Sequence, residues 1–294
     1  MIELDVLEAL DGLQWLRTGE EVAKRFEISQ PTVSRYTAKA LDVFGLEMQR
    51  VNGEWELIGD QTVLALEREV HQLARRLGRR RLRLEATYWS APTVCKTLPD
   101  DWLLGPSNIV GIQRNFALLE DRVVDAWLAG LPDLPTASQP HLSAIVLSRM
   151  PVFFVCSPGH PLLARDQIGY GDIAEFPTLA LPAGCYPQVE SALKSIHLWD
   201  DGVRMSRYCR DKWEGRSEAE LVVGYGTPLS MEVSGGQLCR LPLALPFSSG
   251  EALVVRTDLL ADPWIEALTQ QLLANLRQLA ETCPEIEIVK CEPV

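Results

Sequence analysis

A helix-start signal written twice within the first 45 residues constrains this chain most. Thr18-Gly-Glu-Glu21 has the form of a capping box, a hydroxyl at the N-cap and a Glu three residues on. Ser29-Gln-Pro31 repeats the start: a hydroxyl N-cap, then a proline in the first helical turn, where a missing N–H is harmless. The first start predicts a short helix with Val22, Ala23 and Phe26 inward, ended by a tight turn at Glu27-Ile28. The second predicts a helix from about Gln30 to Phe44, with Val33, Thr37, Ala40, Leu41 and Phe44 on one side. Thr32, Arg35, Tyr36 and Lys39 then share the other side, which carries no carboxylate before Asp42. Upstream, Leu4, Leu7, Leu10 and Leu13 mark a first helix whose acidic face, Glu3, Asp5, Glu8 and Asp11, is expected in water. Two helices joined by a tight turn, the second opening on small polar residues, form a helix-turn-helix, in which that opening reaches base edges.

Asn52-Gly53, between Arg50-Val51 and Trp55, is a two-residue hairpin signal. A hairpin after a recognition helix is a wing, and Arg50 at its base is placed for a phosphate. The formal net charge of −12 argues against a polyanionic partner, but its distribution matters more. Residues 1–60 hold six basic and twelve acidic side chains, residues 61–83 seven and two, and residues 84–294 fifteen and twenty-six. A basic island thus separates two acidic regions.

Ser29 to Arg50, SQPTVSRYTAKALDVFGLEMQR, resembles the signature of LysR-type transcriptional regulators, matching at Ser29, Gln30, Pro31, Val33, Ser34, Arg35, Ala40, Leu41, Gly45 and Arg50 with unbroken spacing. It departs at Tyr36, at Leu57 to Asp60, and in a wing made acidic by Glu54 and Glu56. The resemblance implies a winged helix-turn-helix over residues 1–58 that reads double-stranded DNA through Ser29, Gln30, Pro31, Thr32, Ser34, Arg35, Lys39 and Arg50.

Val63, Leu66, Val70, Leu73 and Leu77 recur at alternating steps of three and four, a short coiled-coil seam within residues 59–81. One helix cannot bury such a seam. It needs another helix of this chain or the same helix of a second copy, and the resemblance favours a homodimer or homotetramer. The basic run Arg75, Arg76, Arg79, Arg80, Arg81 and Arg83 reads as added DNA attraction or, preferably, as a solvated helix end paired with the acidic body.

From residue 82 onward, short apolar runs alternate with helical patterns, as in an α/β domain. Strands are expected at Leu82–Trp89, Asn108–Gln113, Pro151–Cys156, Pro177–Pro182 and Ala252–Thr257. Helices are expected after Ser90, over Leu118–Gly130, and from about Pro263 to Ala280. Trp127 to Leu134, Pro151 to Leu163 and Val222 to Ser230 resemble phrases of the family's effector domain, which has the two-subdomain α/β fold of type 2 periplasmic binding proteins. The implied division is subdomain I at about 82–160 and 246–294, and subdomain II at about 161–245.

A ligand would lie between the subdomains. Helix N-termini attract anions, so Ser90, Thr93, Gly184 and Cys185 are candidates, with Thr136 near the first crossover and Tyr225 and Thr227 before the return. The effector is expected to be small and anionic, with Arg204, Arg207 and Arg210 as candidate cations. Seven scattered cysteines and four unclustered histidines offer neither a disulfide framework nor a metal set. Cys185 as a thiol sensor is the sharper alternative. No nucleotide-loop or nucleophile-elbow pattern occurs, and no cofactor is expected. No apolar run could span a bilayer and the N-terminus lacks a basic signal region, so a cytoplasmic location is expected. The reading is a non-enzymatic, effector-controlled DNA-binding regulator, with RNA polymerase as a further candidate partner. The alternative is a ligand-binding or enzymatic α/β protein whose N-terminal domain only mediates association.

Overall fold

The computed structural model describes residues 2–179, 181–199, 207–209, 221–234 and 238–289. Arg204 and Arg210 lie outside them. The head comprises helices α1 (Leu4–Leu16), α2 (Gly19–Phe26) and α3 (Gln30–Phe44) and strands β1 (Glu47–Val51) and β2 (Glu54–Ile58). Thr18 Oγ1 accepts from the Glu21 N–H and Ser29 Oγ from the Thr32 N–H, so both helix starts lie where the capping signals put them. Asn52 and Gly53 both take positive φ, as a tight hairpin turn between β1 and β2 requires.

Helix α4 (Thr62–Arg76) connects the head to the body. It is amphipathic in an inverted sense. Leu64, Arg68, His71, Gln72 and Arg75 face inward, while Val63, Leu66, Val70, Leu73 and Leu77 are left exposed.

The body has two sheets. The first runs β4 (Trp102–Leu104), β3 (Leu82–Ala86), β5 (Ala126–Gly130), β10 (Glu251–Arg256), β6 (Leu142–Val146), with β3 parallel to β4 and β5 and with β10 antiparallel to β5 and β6. In the second, β7 (Ser148–Cys156) pairs with β8 (Gly224–Gly226), β9 (Cys239–Ser249) and β11 (Glu287–Ile288). Alternate residues of a strand face opposite sides, which sorts the core. Leu128, Leu253 and Val255 pack under helix α9 (Pro263–Thr282). Trp127 and Val254 face the other way, toward α5 (Gln113–Glu120) and the head residues Trp15, Leu16 and Val22. Short helices α6 (Tyr170–Ile173), α7 (Pro187–Ser195) and α8 (Pro228–Ser234) belong to the second subdomain.

The chain changes sheet at Leu147 and at Gly250, so β7 and the last residues of β9 pair in the second sheet rather than the first, while the rest of β9 lies in subdomain II as expected. An apolar run such as Pro151–Cys156 fits either sheet; only its pairing with β9 decides. Leu118–Gly130 is not one helix: α5 ends at Glu120 and Ala126–Gly130 is the central strand β5. Asn108–Gln113 and Pro177–Pro182 contribute isolated bridges at Ile109 and Thr178 rather than strands. Residues following Ser90 form successive turns, not a helix.

The acidic face of α1 faces water only at its start: Glu3 and Asp5 are exposed, whereas Glu8 is half-buried and Asp11 is buried. Asp11 is 1% exposed and accepts from Arg68 Nε at 2.9 Å and Arg83 Nη1 at 3.4 Å. Helix α1 is sandwiched between α3 and the body, so its polar side meets the basic linker instead of solvent. Arg75 and Arg83 are likewise buried, not solvated. Arg75 Nε donates to Asp125 at 2.9 Å, and Arg83 stacks near the Phe26 ring. Arg80 pairs with Asp5 and Glu8, so part of the basic island does pair with acids of the chain.

Candidate DNA face and effector cleft

The expected reading residues share one open side of α3. Gln30, Pro31, Ser34, Arg35 and Lys39 are exposed and Thr32 is half-buried, while Val33, Thr37 and Ala40 point inward. Ser29 and Thr32 bond each other at 2.8 Å through their hydroxyls. Arg35 lies over the Tyr36 ring, so the departure at Tyr36 gives a platform that orders the guanidinium. Lys39 pairs with Glu3 at 3.0 Å at the surface. Arg50 is exposed and lies over the Trp55 ring.

The acidic wing is engaged by the chain itself. Glu54 accepts from Arg17 at 2.7 Å and from Arg114 of α5 at 2.5 Å. Burial pushes its carboxyl upward, but the two guanidiniums outweigh it and hold the pKa below the ordinary value. Wing and body are therefore joined by a charge pair.

Between the two sheets lies a cleft with a cavity of about 140 Å³. The first subdomain lines it with Tyr88, Trp89, Asn115, Trp127 and Asp133; the second with Tyr186, Tyr208, Tyr225, Thr227 and Phe247. Tyr88 and Tyr208 stack at 3.5 Å with ring planes 8° apart. Trp89 is fixed at its indole nitrogen, which donates to Glu251 at 2.9 Å. Gly130 lets the ring lie close, since a Cβ there would come within 2.8 Å of it. Glu251 is fully buried in the sheet, and burial pushes its carboxyl up to about 7 against the bonds from Ser90 and Trp89. Asp133 accepts from the N–H groups of Gln188, at 2.7 Å, and Val189, at 3.3 Å. A carboxylate of the first subdomain thus sits on the N-terminus of α7 in the second.

Of the expected effector residues, Tyr225 and Thr227 reach this cavity. The rest do not. Ser90 is buried, its hydroxyl held by Glu251 at 2.5 Å, and Thr93 donates to the Trp89 carbonyl at 2.6 Å. Both hydroxyls are spent positioning Trp89. Thr136 sits in an exposed turn closed by Gln139. The Gly184 N–H is taken by Glu190, and Cys185 packs on Gly111 at the subdomain seam. Burial raises the Cys185 thiol pKa, the opposite of an activated thiol. Arg207 bridges Ile109 by its backbone and is not part of the lining. The missed residues carried a readable signal in part: Tyr88-Trp89 comes one residue after β3, where strand ends open onto clefts.

Residues 111–200 match a family model, the LysR substrate binding domain. The match takes in Gly111, α5, β5, β6, β7 and α7, and hence half of the cleft. Solved structures of LysR-like architecture are similar over nearly the whole chain. A full-length OxyR variant from Pseudomonas aeruginosa is 18% identical with a TM-score of 0.57, covering 92% of this chain and 95% of that one. Full-length BenM is 15% identical with a TM-score of 0.54, covering 96% and 98%. Full-length CbnR in complex with its target DNA is 11% identical with a TM-score of 0.54, covering 93% and 100%. No curated protein matches the chain. The fold expected from the LysR resemblance is the observed one: a winged helix-turn-helix, a linker helix and a two-subdomain α/β body. Among the described residues, no helix is long and apolar enough to cross a membrane.

Proposed function

We propose that this chain is a DNA-binding transcriptional regulator whose activity is set by a small molecule held in the cleft. The observation that carries the reading is the open side of α3. Gln30, Ser34 and Arg35 remain exposed with no carboxylate on the helix before Asp42, and Lys39 is exposed though paired with Glu3, while much of the rest of the head is packed against α4 and the body. The CbnR structure, solved on its target DNA, supports the comparison at the level of fold. Gln30, Thr32, Ser34 and Arg35 would meet base edges or adjacent phosphates, while Lys39 and Arg50 would meet backbone.

Two copies would join through Val63, Leu66, Val70, Leu73 and Leu77. This apolar ridge lies on a helix whose inner side is already buried, and none of the described residues covers it, which suits a second molecule. A dimer places two α3 helices in successive major grooves of an interrupted palindrome. The cleft lies between subdomains that are linked at Leu147 and Gly250, and the head packs on the first of them. Ligand-driven closure would therefore move one subdomain relative to the head, coupling the two sites. Footprinting on DNA upstream of the chain's own gene tests this: a protected interrupted palindrome is expected, and loss of protection in Gln30→Ala and Arg35→Ala. Protection unaffected by both substitutions refutes the assignment.

A further inference from the structure

One stretch of the first subdomain forms a wall shared by the cleft and the wing. Ile109, Gly111, Ile112 and Asn115 line the cavity. Asn108 and Arg114, in the same stretch, reach the head instead. The Asn108 side-chain oxygen accepts from Arg17 Nη1 at 3.1 Å, and Arg114 Nε pairs with Glu54 of the wing at 2.5 Å.

Arg17 gathers the wing from below. It is 2% exposed and closes the C-terminus of α1. Its Nε donates to Glu54 at 3.0 Å, and its carbonyl accepts from the Trp55 indole nitrogen at 2.8 Å. The Trp55 ring in turn lies under the Arg50 guanidinium. Through Arg17, two hydrogen bonds of 3.1 and 2.8 Å thus lead from Asn108 to the ring beneath Arg50.

The second subdomain holds the other side of Asn108. Tyr208 donates its backbone N–H to the Asn108 carbonyl at 2.9 Å, while its ring lines the cavity and stacks on Tyr88 at 3.5 Å. The adjoining Arg207 lies within electrostatic reach of the wing. Burial lowers its pKa, the charges of Arg17 and Arg50 add to that, and Glu54 opposes it. The tie from Trp15 to Glu85, by contrast, ends on a residue that does not line the cavity.

We propose that Asn108 couples the cleft to the wing within a single chain. The Tyr88–Tyr208 stack sets the position of Asn108, and Asn108, through Arg17, sets the position of Trp55 and Arg50. A ligand filling the cavity lies against that stack, so it biases the wing without any rearrangement between copies. This regulation rests on the cleft being the effector site and the wing meeting DNA.

The test is hydrogen exchange of the wing, residues 47–58, in the full chain. Tyr208→Ala removes the stack and should speed wing exchange by about two- to tenfold. Asn108→Ala removes the bond to Arg17 and should speed it by about tenfold. Adding Tyr208→Ala to Asn108→Ala should change the wing no further, because the link is already cut. Phe247→Leu alters the lining outside this stretch and should leave the wing unchanged. A wing unmoved by Tyr208→Ala, additive effects in the double variant, or an equal effect of Phe247→Leu overturns the proposal. The readout needs neither ligand nor DNA, so it stands apart from DNA footprinting. Coupled exchange in a chain that protects no DNA upholds the link and defeats the regulator reading. A protected palindrome with uncoupled exchange does the reverse.

Discussion

Trp15 donates its indole N–H to Glu85 across 2.7 Å, tying the first helix of the head to the first strand of the body. Glu85 is completely buried, and burial raises its carboxyl pKa against the bond from Trp15, the charge of Arg114 and the N–H groups of Ala86 and Ser107. Gly105 makes the approach possible, because a Cβ there would strike this carboxylate and the indole. Head and body are thus one packed unit, not two beads on a linker. Trp15→Phe removes the donor while keeping a ring, and should cost about 1–3 kcal/mol. Urea unfolding checks it; an unchanged midpoint would show that the contact adds nothing.

Glu251 should give the protein a falling stability limb toward neutral pH. Its carboxyl is raised to about 7 in the folded chain, against an ordinary value of 4.5. A folded-state pKa above the unfolded one means that the folded protein binds the proton more tightly. Stability is then full below the ordinary value and is lost as pH rises from about 4.5 to about 7, by on the order of 3 kcal/mol. Glu251→Gln keeps an acceptor for Trp89 and reverses the Ser90 bond, its amide N–H donating to the hydroxyl that donated to Glu251, without a titration. Melting temperature against pH should flatten over that window in the variant.

Leu66→Glu and Leu73→Glu should abolish self-association with little effect on the folded monomer, since these side chains are 62% and 48% exposed. Surface changes of this kind usually alter stability by about 0.5 kcal/mol or less. Sedimentation velocity should show a monomer. Affinity for a full palindrome should fall while affinity for a half-site holds.

Arg35→Ala should weaken specific DNA binding by about 1–3 kcal/mol if the guanidinium reads a base. If it meets a phosphate instead, binding weakens uniformly across sequences and the salt slope drops by about one. The wild-type slope itself should be shallow. The basic residues of the linker are largely spent inside the protein, Arg68 on Asp11 and Arg75 on Asp125. A slope near that of a protein neutralising ten phosphates would contradict this reading.

What the sequence by itself determined was local. Thr18 and Ser29 cap helices through N–H groups three residues away, and Asn52-Gly53 turns a hairpin within its own backbone. Such bonds need nothing distant, so the head was legible, as were the outward seam of α4 and the alternating body. Tertiary structure decided what each face meets. Periodicity placed Asp11 opposite the leucines of α1, but only packing showed Arg68 and Arg83 waiting there instead of water. Ser90 carries a hydroxyl suited to a helix start, yet a carboxylate 161 positions away claims it. The cavity joins Asn115 and Trp127 of one subdomain to Tyr225 and Phe247 of the other. No local pattern encodes that meeting, because burial and charge compensation are set by residues brought together only when the two sheets close on each other.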